Sequence, residues 1–228
     1  MPDLNFQVDA AEPVSFAVAP LLSFKLKITN SATDEKVQSV VLRCQIQIAA
    51  TQRKYQPREK ERLLDLFGEP ERWDRTLRPM LWTHASHTVP PFQGSVVVDL
   101  PVPCSFDFNV AATKYFAGLE GGEVPLNLMF SGTVFYETGD GALQVEQIPW
   151  DREARYRLPV RVWKEMMDLY YPNTAWLCLR RDVFERLSQY KMEQGIPTWE
   201  QTLERIIPAS KPLPLEEEEL NVEGSLPS

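Results

Sequence analysis

Both histidines of the 228-residue chain fall in WTHASHT, residues 82–88, as His84 and His87. Two imidazoles are half of a zinc- or nickel-type site, and three residues apart on a helix they would stand side by side. The surrounding residues argue against a helix. Pro79 and the Pro90–Pro91 pair bound the stretch, it carries Trp82, Thr83 and Thr88, and no capping residue opens it, so it reads as extended over 80–88. Side chains alternate along a strand, so residues three apart face opposite ways. The expectation is that His84 and His87 do not share an ion, unless a bulge turns one of them over.

The other chemistry-bearing types add little. Cys44, Cys104 and Cys178 are widely spaced and odd in number, with no CxxC pair. That spacing suits neither a zinc knuckle nor a disulfide framework. Cys44 falls on the apolar side of an alternating run and reads as a small buried hydrophobe. There is no GxSxG, P-loop or GxGxxG pattern, and LEGGEVP, residues 119–125, reads as a helix stop before a strand. Asp99 interrupts the apolar run VVVDLPVP and reads as an outward strand position; as a general acid or base it would need a convergent partner. The residue types therefore predict no metal, no cofactor and no catalytic set.

One stretch stands above background. REARYRLPVRVWKEMMDLYYP, residues 152–172, interleaves Arg155, Arg157 and Arg161 with Tyr156, Trp163, Tyr170 and Tyr171. Two readings stay open. The arginines are the wet face of a half-buried strand and the aromatics are core, or Arg155, Arg157, Arg161, Trp163, Tyr170 and Tyr171 form a docking surface for a protein partner.

The elements that must position these residues are mostly strands. LSFKLKIT alternates Leu22, Phe24, Leu26 and Ile28 with Ser23, Lys25, Lys27 and Thr29. SVVLRCQIQIAA repeats the pattern through Val40, Leu42, Cys44, Ile46 and Ile48. SVVVDLPVP, SFDFNV and EARYRLPV are further strand candidates, and Gly139, Asp140 and Gly141 mark the turn of a hairpin. Pro57 and Gly68 bracket a helical insertion near 57–67, and a second short helix is expected near 111–119. After Pro159 the period becomes helical, with Trp163, Met166, Met167 and Tyr170 on one side; TAWLCLRR then reads as a short apolar segment. Asp182 and Thr198 stand as N-caps of two later helices.

The expected fold is mainly β (α+β): an antiparallel β-sandwich over 1–160, a mainly helical segment over 161–207 packed on it, and an acidic tail over 208–228. The tail carries Glu216 to Glu219 and many prolines, and has too little apolar surface to order itself.

Composition excludes some function classes. A net charge of −8 and a pI near 5.0 give no positive footprint for nucleic acid. No run approaches the length of a membrane span, and the N-terminus MPDLNFQVDAAEP lacks the basic and apolar regions of a secretory signal. The expected setting is cytoplasmic.

Several blocks also carry a resemblance. LFGEPERW, LRPMLWTH, VDLPVPCSFDFNVAATKYF, LMFSGTVFY, IPWDREARYRLPV and PTWEQTL resemble the recurring blocks of an uncharacterised bacterial domain-of-unknown-function family, and the similarity runs from about Asp3 to Ile207. Members of that family are often encoded near nickel–iron hydrogenase genes. The resemblance implies an interaction or assembly role, with a hydrogenase subunit or accessory protein as partner. The second reading is a small-ligand binder or enzyme with a pocket between the sandwich and the C-terminal helices.

Overall fold

The computed structural model describes residues 2–32, 35–104, 110–174, 177 and 179–207. The strand candidate SFDFNV lies outside the described residues except for its last residue, as do Cys178, parts of TAWLCLRR and the acidic tail. By its internal contacts the chain divides after Thr174 into two units.

Among the described residues the first unit holds eight strands: β1 (Leu4–Pro13), β2 (Leu21–Asn30), β3 (Lys36–Ile48), β4 (Met80–Val89), β5 (Ser95–Pro103), β6 (Glu123–Glu137), β7 (Leu143–Gln147) and β8 (Glu153–Pro159). All pairings are antiparallel. One sheet has the order β1-β2-β5. The other runs β4-β3-β6, and the long β6 carries β7 on one half and β8 on the other half of the same edge. Both sheets are open.

The period-two pattern explains the arrangement. Leu22, Phe24, Leu26 and Ile28 of β2, and Val40, Leu42, Cys44, Ile46 and Ile48 of β3, are all buried in one continuous core. Rings join the two sheets across it: Phe6 of β1 stacks on Phe130 of β6 at 4.2 Å, and Phe24 of β2 meets Trp82 of β4 at 6.4 Å and Tyr156 of β8 at 5.6 Å. The strand β1 was not anticipated, although Leu4, Phe6 and Val8 alternate with polar residues and face the core.

The insertion between β3 and β4 forms three short helices, α1 (Pro57–Arg62), α2 (Leu64–Phe67) and α3 (Trp73–Thr76). Pro57 sits at the start of α1, where its missing N–H costs nothing, and Gly68 ends α2 at φ +72°. The helix α4 (Val110–Gly118) follows β5, and α5 (Val160–Tyr170) follows β8. A run of rings seats both helices on the sheets. Trp82 meets Phe116 of α4 at 5.0 Å, and Phe116 stacks on Trp163 of α5 at 5.2 Å and 12°.

The second unit contains α6 (Arg181–Glu193) and α7 (Trp199–Ile206). Gly195, at φ +62°, closes the first of these, and Ile196 and Thr202 are the buried residues of the pair. The hydroxyl of Thr198 accepts from the Gln201 N–H, as its capping position requires. Asp182, the expected N-cap, lies inside the first turn of α6, two positions past the N-cap the structure shows: that cap is Arg180, whose guanidinium bonds Asp182 at 3.0 Å. No helix among the described residues is long and apolar enough to cross a membrane.

Candidate functional site

His84 and His87 lie on the extended β4, opposite Gln45 and Leu42 of β3. Leu42 faces the core and Gln45 does not, so the two imidazoles stand on opposite faces of the sheet. The irregularity in the β3–β4 register falls at Ile46/Gln47, nearer the start of β4, and does not bring them together. Among the described residues no three His, Cys, Asp or Glu side chains cluster as metal ligands. Cys44 and Cys104 are buried apart from one another on β3 and after β5, and burial pushes both thiols up to about 12.

Asp99 is explained by its neighbours across the sheet. It stands opposite Lys25, accepts from the Lys25 ammonium at 2.7 Å and accepts from the Ser23 hydroxyl at 2.9 Å. Lys25 also pairs with Glu12 at 2.7 Å, so β1, β2 and β5 are laced by a Glu12–Lys25–Asp99 rung. Hydrogen bonding by Lys25, then by Ser23, holds the Asp99 carboxyl below its ordinary range.

The polar centre of the first unit was not expected. Arg53 leaves β3 and turns inward, with 8% of its side chain exposed, and meets Glu59 of α1, with 1% exposed, at 2.7 Å. The Arg53 guanidinium also donates to the carbonyls of Gly121 and Glu123 at 2.7 and 2.6 Å. The Glu59 carboxylate accepts from the N–H groups of Gln56 at 3.0 Å and Glu120 at 2.9 Å. Burial raises the carboxyl, but the two backbone N–H bonds and the Arg53 guanidinium outweigh it and hold Glu59 below its ordinary value. A carboxylate so placed is ionised and saturated with donors, which suits a latch and not a general base.

Beside the latch, Tyr55 donates to the Ala50 carbonyl at 2.7 Å and its oxygen lies 3.0 Å from the Tyr115 hydroxyl. Tyr55 has one hydrogen and spends it on Ala50, so Tyr115 is the donor of that second bond. The latch floors an open cleft of about 690 Å³, rimmed by Lys54, Gln56, Glu120, Glu123 and Arg157. It lies within the first unit, between the insertion and the β6–β8 end of the sheet. Among the described residues the Arg53 Nε has no hydrogen-bond partner.

The basic-aromatic stretch divides in two. Arg155 and Arg157 are exposed on β8 while Ala154 and Leu158 are buried and Tyr156 is half-buried, so the alternation reads as expected. Arg161 is exposed at the start of α5. Trp163 is 6% exposed and stacked on Phe116, which makes it core and corrects its place on a docking surface. Tyr170 is tied down as well: its hydroxyl donates to the Val14 carbonyl at 2.6 Å and accepts from the Ala17 N–H at 3.1 Å. Tyr171 is half-buried just past α5.

Residues 1–213 match the model of a family of unknown function, DUF6084. The chain belongs to this family. No curated protein matches it. The DUF6084 match spans both units, from β1 through α7, so the sandwich and the helical pair are together part of what the family model describes.

Proposed function

We propose that this DUF6084 chain is a non-enzymatic interaction or assembly protein that works in the cytoplasm. Its partner is a protein of a nickel–iron hydrogenase-linked system, a subunit or an accessory factor. The system is taken from the gene neighbourhood that the sequence resemblance implies. The interaction role rests on the second unit.

Among the described residues of that unit only Ile196 and Thr202 are buried. Leu177, Phe184, Met192, Trp199, Ile206 and Ile207 are exposed, and Phe184 meets Trp199 at 5.2 Å in a partly exposed ring pair, with the Lys191 ammonium over the Trp199 ring at 5.6 Å. Two short helices with so few buried residues do not bury enough surface to be stable unaided. An apolar cluster of this kind on a soluble chain marks a surface that another surface covers. The exposed arginines of β8 and α5 supply a second, polar contact for an acidic partner.

The test is capture by the tagged chain from its own host, compared with a Phe184→Ser/Trp199→Ser variant. The expected result is a hydrogenase subunit or accessory protein recovered with the parent and lost with the variant, while the thermal transition of the first unit is unchanged. Equal recovery by both chains, or recovery of no such protein, overturns the reading.

A second reading has one observation in its favour. The Arg53 Nε, without a partner among the described residues, and the exposed Lys54 and Arg157 suit the 690 Å³ cleft to a small carboxylate or phosphate ligand. A thermal shift on adding phosphate or citrate, lost in Arg157→Ala, would favour it.

A further inference from the structure

We infer that β7 is a self-complementary edge on which two copies of this chain pair, antiparallel and about a two-fold axis at Val145. β7 ends its sheet, and among the described residues no strand pairs with its other side. Two rungs fix which of its residues turn toward β6. The Thr138 N–H donates to the Ala142 carbonyl at 3.0 Å, and the Ile148 N–H donates to the Gly132 carbonyl at 2.9 Å. In the same register Tyr136 stands opposite Gln144 and Val134 opposite Glu146. Hydrogen-bonded pairs alternate in an antiparallel ladder, so Gln144 and Glu146 bond inward. Leu143, Val145 and Gln147 therefore turn their N–H and C=O groups outward.

Those outward residues are not guarded. Edge strands are usually blunted by lysine, proline, a bulge or a cover. β7, LQVEQ, has neither lysine nor proline, and its register with β6 is unbroken. Leu143 is 62% exposed, Val145 59% and Trp150, just beyond the strand, 93%. Val145 is opposite the half-buried Phe135, so two apolar side chains adjoin on the outer face of the sheet at its edge.

The sequence of the edge selects a second copy as the occupant. With Val145 opposite its own symmetry mate, Leu143 faces Gln147 and Gln147 faces Leu143. All three are outward-bonding, so every free N–H and C=O of the edge finds its complement. On the other face each Gln144 stands against the mate's Glu146, an amide donor against a carboxylate. No like charges oppose one another, and the two valines meet at the axis. The pairing is isologous and closes at two, as a two-fold contact must.

The chain carries a net charge of −8, so two copies repel at low salt and pairing strengthens as salt rises. A five-residue edge buries little area, which places the association in the weak, reversible class.

Sedimentation velocity of the full chain, from micromolar to millimolar concentration, tests the pairing. The parent is expected to shift from monomer to dimer, more readily at high salt. Val145→Pro removes only an outward N–H, and Val145→Lys sets two ammonium groups against each other. Each is expected to weaken self-association at least about tenfold with the thermal midpoint retained. Val145→Glu should behave likewise, and mixing the Lys and Glu variants should restore a dimer, because residue 145 then faces its opposite charge. A parent that stays monomeric overturns the proposal. So does a dimer that survives both Val145→Pro and Val145→Lys, or the failure of the mixed variants to pair while both are folded. Capture of an extended segment of another protein on this edge, without self-pairing, also overturns it.

Discussion

The Arg53 guanidinium and the Glu59 carboxylate, six residues apart in sequence, meet at 2.7 Å with both side chains almost wholly removed from water. Such a pair is tolerated only where the remaining donors and acceptors are satisfied. Here the carbonyls of Gly121 and Glu123 and the N–H groups of Gln56 and Glu120 do most of that. The consequence is mechanical. The end of β3, the start of α1 and the α4–β6 connection are fastened at one point. Gly122, at φ +75°, belongs to that connection, and a side chain there would come within 3.4 Å of the Arg53 Nη1.

Glu59→Ala should destabilise the first unit by about 3 to 5 kcal/mol, the usual cost of stranding one member of a buried ion pair. Urea unfolding of parent and variant measures it. The sign with pH follows from the lowered carboxyl. Its stabilising contribution is present above the unfolded value near 4.5 and is lost as pH falls through the lower folded value. The gap between parent and variant should therefore narrow as acid is added below that point, and a gap that widens would contradict the lowered folded value.

Gly132→Ala tests the β3–β6 seam. Gly132 stands opposite Leu42 at φ +142°, and a Cβ there would lie 2.0 Å from the Val41 carbonyl oxygen. Neither backbone can yield without breaking ladder bonds. The substitution should cost more than about 2 kcal/mol, through strain and clash together. Gly139→Ala, at a hairpin tip with nothing within 4 Å, is the matched control and should be near neutral by thermal melting.

Where one face of a strand is buried, alternation announces it, and β2, β3 and β8 were legible for that reason. The strand β1 alternates as clearly through Leu4, Phe6 and Val8, but only over a few residues before the polar DAAEP. The latch was not legible. Arg53 and Glu59 sit in TQRKYQPREKER, a stretch whose composition suggests a solvated surface. The burial of Glu59 depends on Glu120, sixty-one positions away, and no local pattern reports that. The one available hint was Glu at the third position of a helix opened by Pro57, a capping-box spacing. Trp163 shows the converse limit. Helical period placed it on the apolar side of α5, but whether that side meets the molecule's own core or a partner is decided by Phe116.

The thiols of Cys44 and Cys104 should resist alkylation in the folded chain. Burial pushes both up to about 12, at Cys104 against the lowering effect of a backbone hydrogen bond at Leu22, so little thiolate exists at neutral pH. In a Cys178→Ser background, iodoacetamide followed by mass spectrometry should find both sites unmodified at pH 8 and both modified in urea. Rapid labelling of either in the native chain would mean that its strand opens readily.

The exposed arginines give the last prediction. Arg155 and Arg157 stand on the wet face of β8, and the ion pair of Arg155 with Glu153, at 3.8 Å, is on the surface. Exposed pairs of this kind contribute little to stability. The double change Arg155→Glu/Arg157→Glu should therefore leave circular dichroism and the thermal midpoint almost unmoved, within about 0.5 kcal/mol. Tyr156→Ala is the opposite case on the same strand. Its ring packs on Phe24 at 5.6 Å, and its loss should cost about 3 kcal/mol. If the strand face contributes to docking, the double Glu variant loses capture of an acidic partner, and capture by the parent weakens as salt rises. That salt response is opposite in sign to the one expected of the β7 edge, so one titration of salt separates the two surfaces. Unchanged capture by the double variant would place the partner on the helical unit alone.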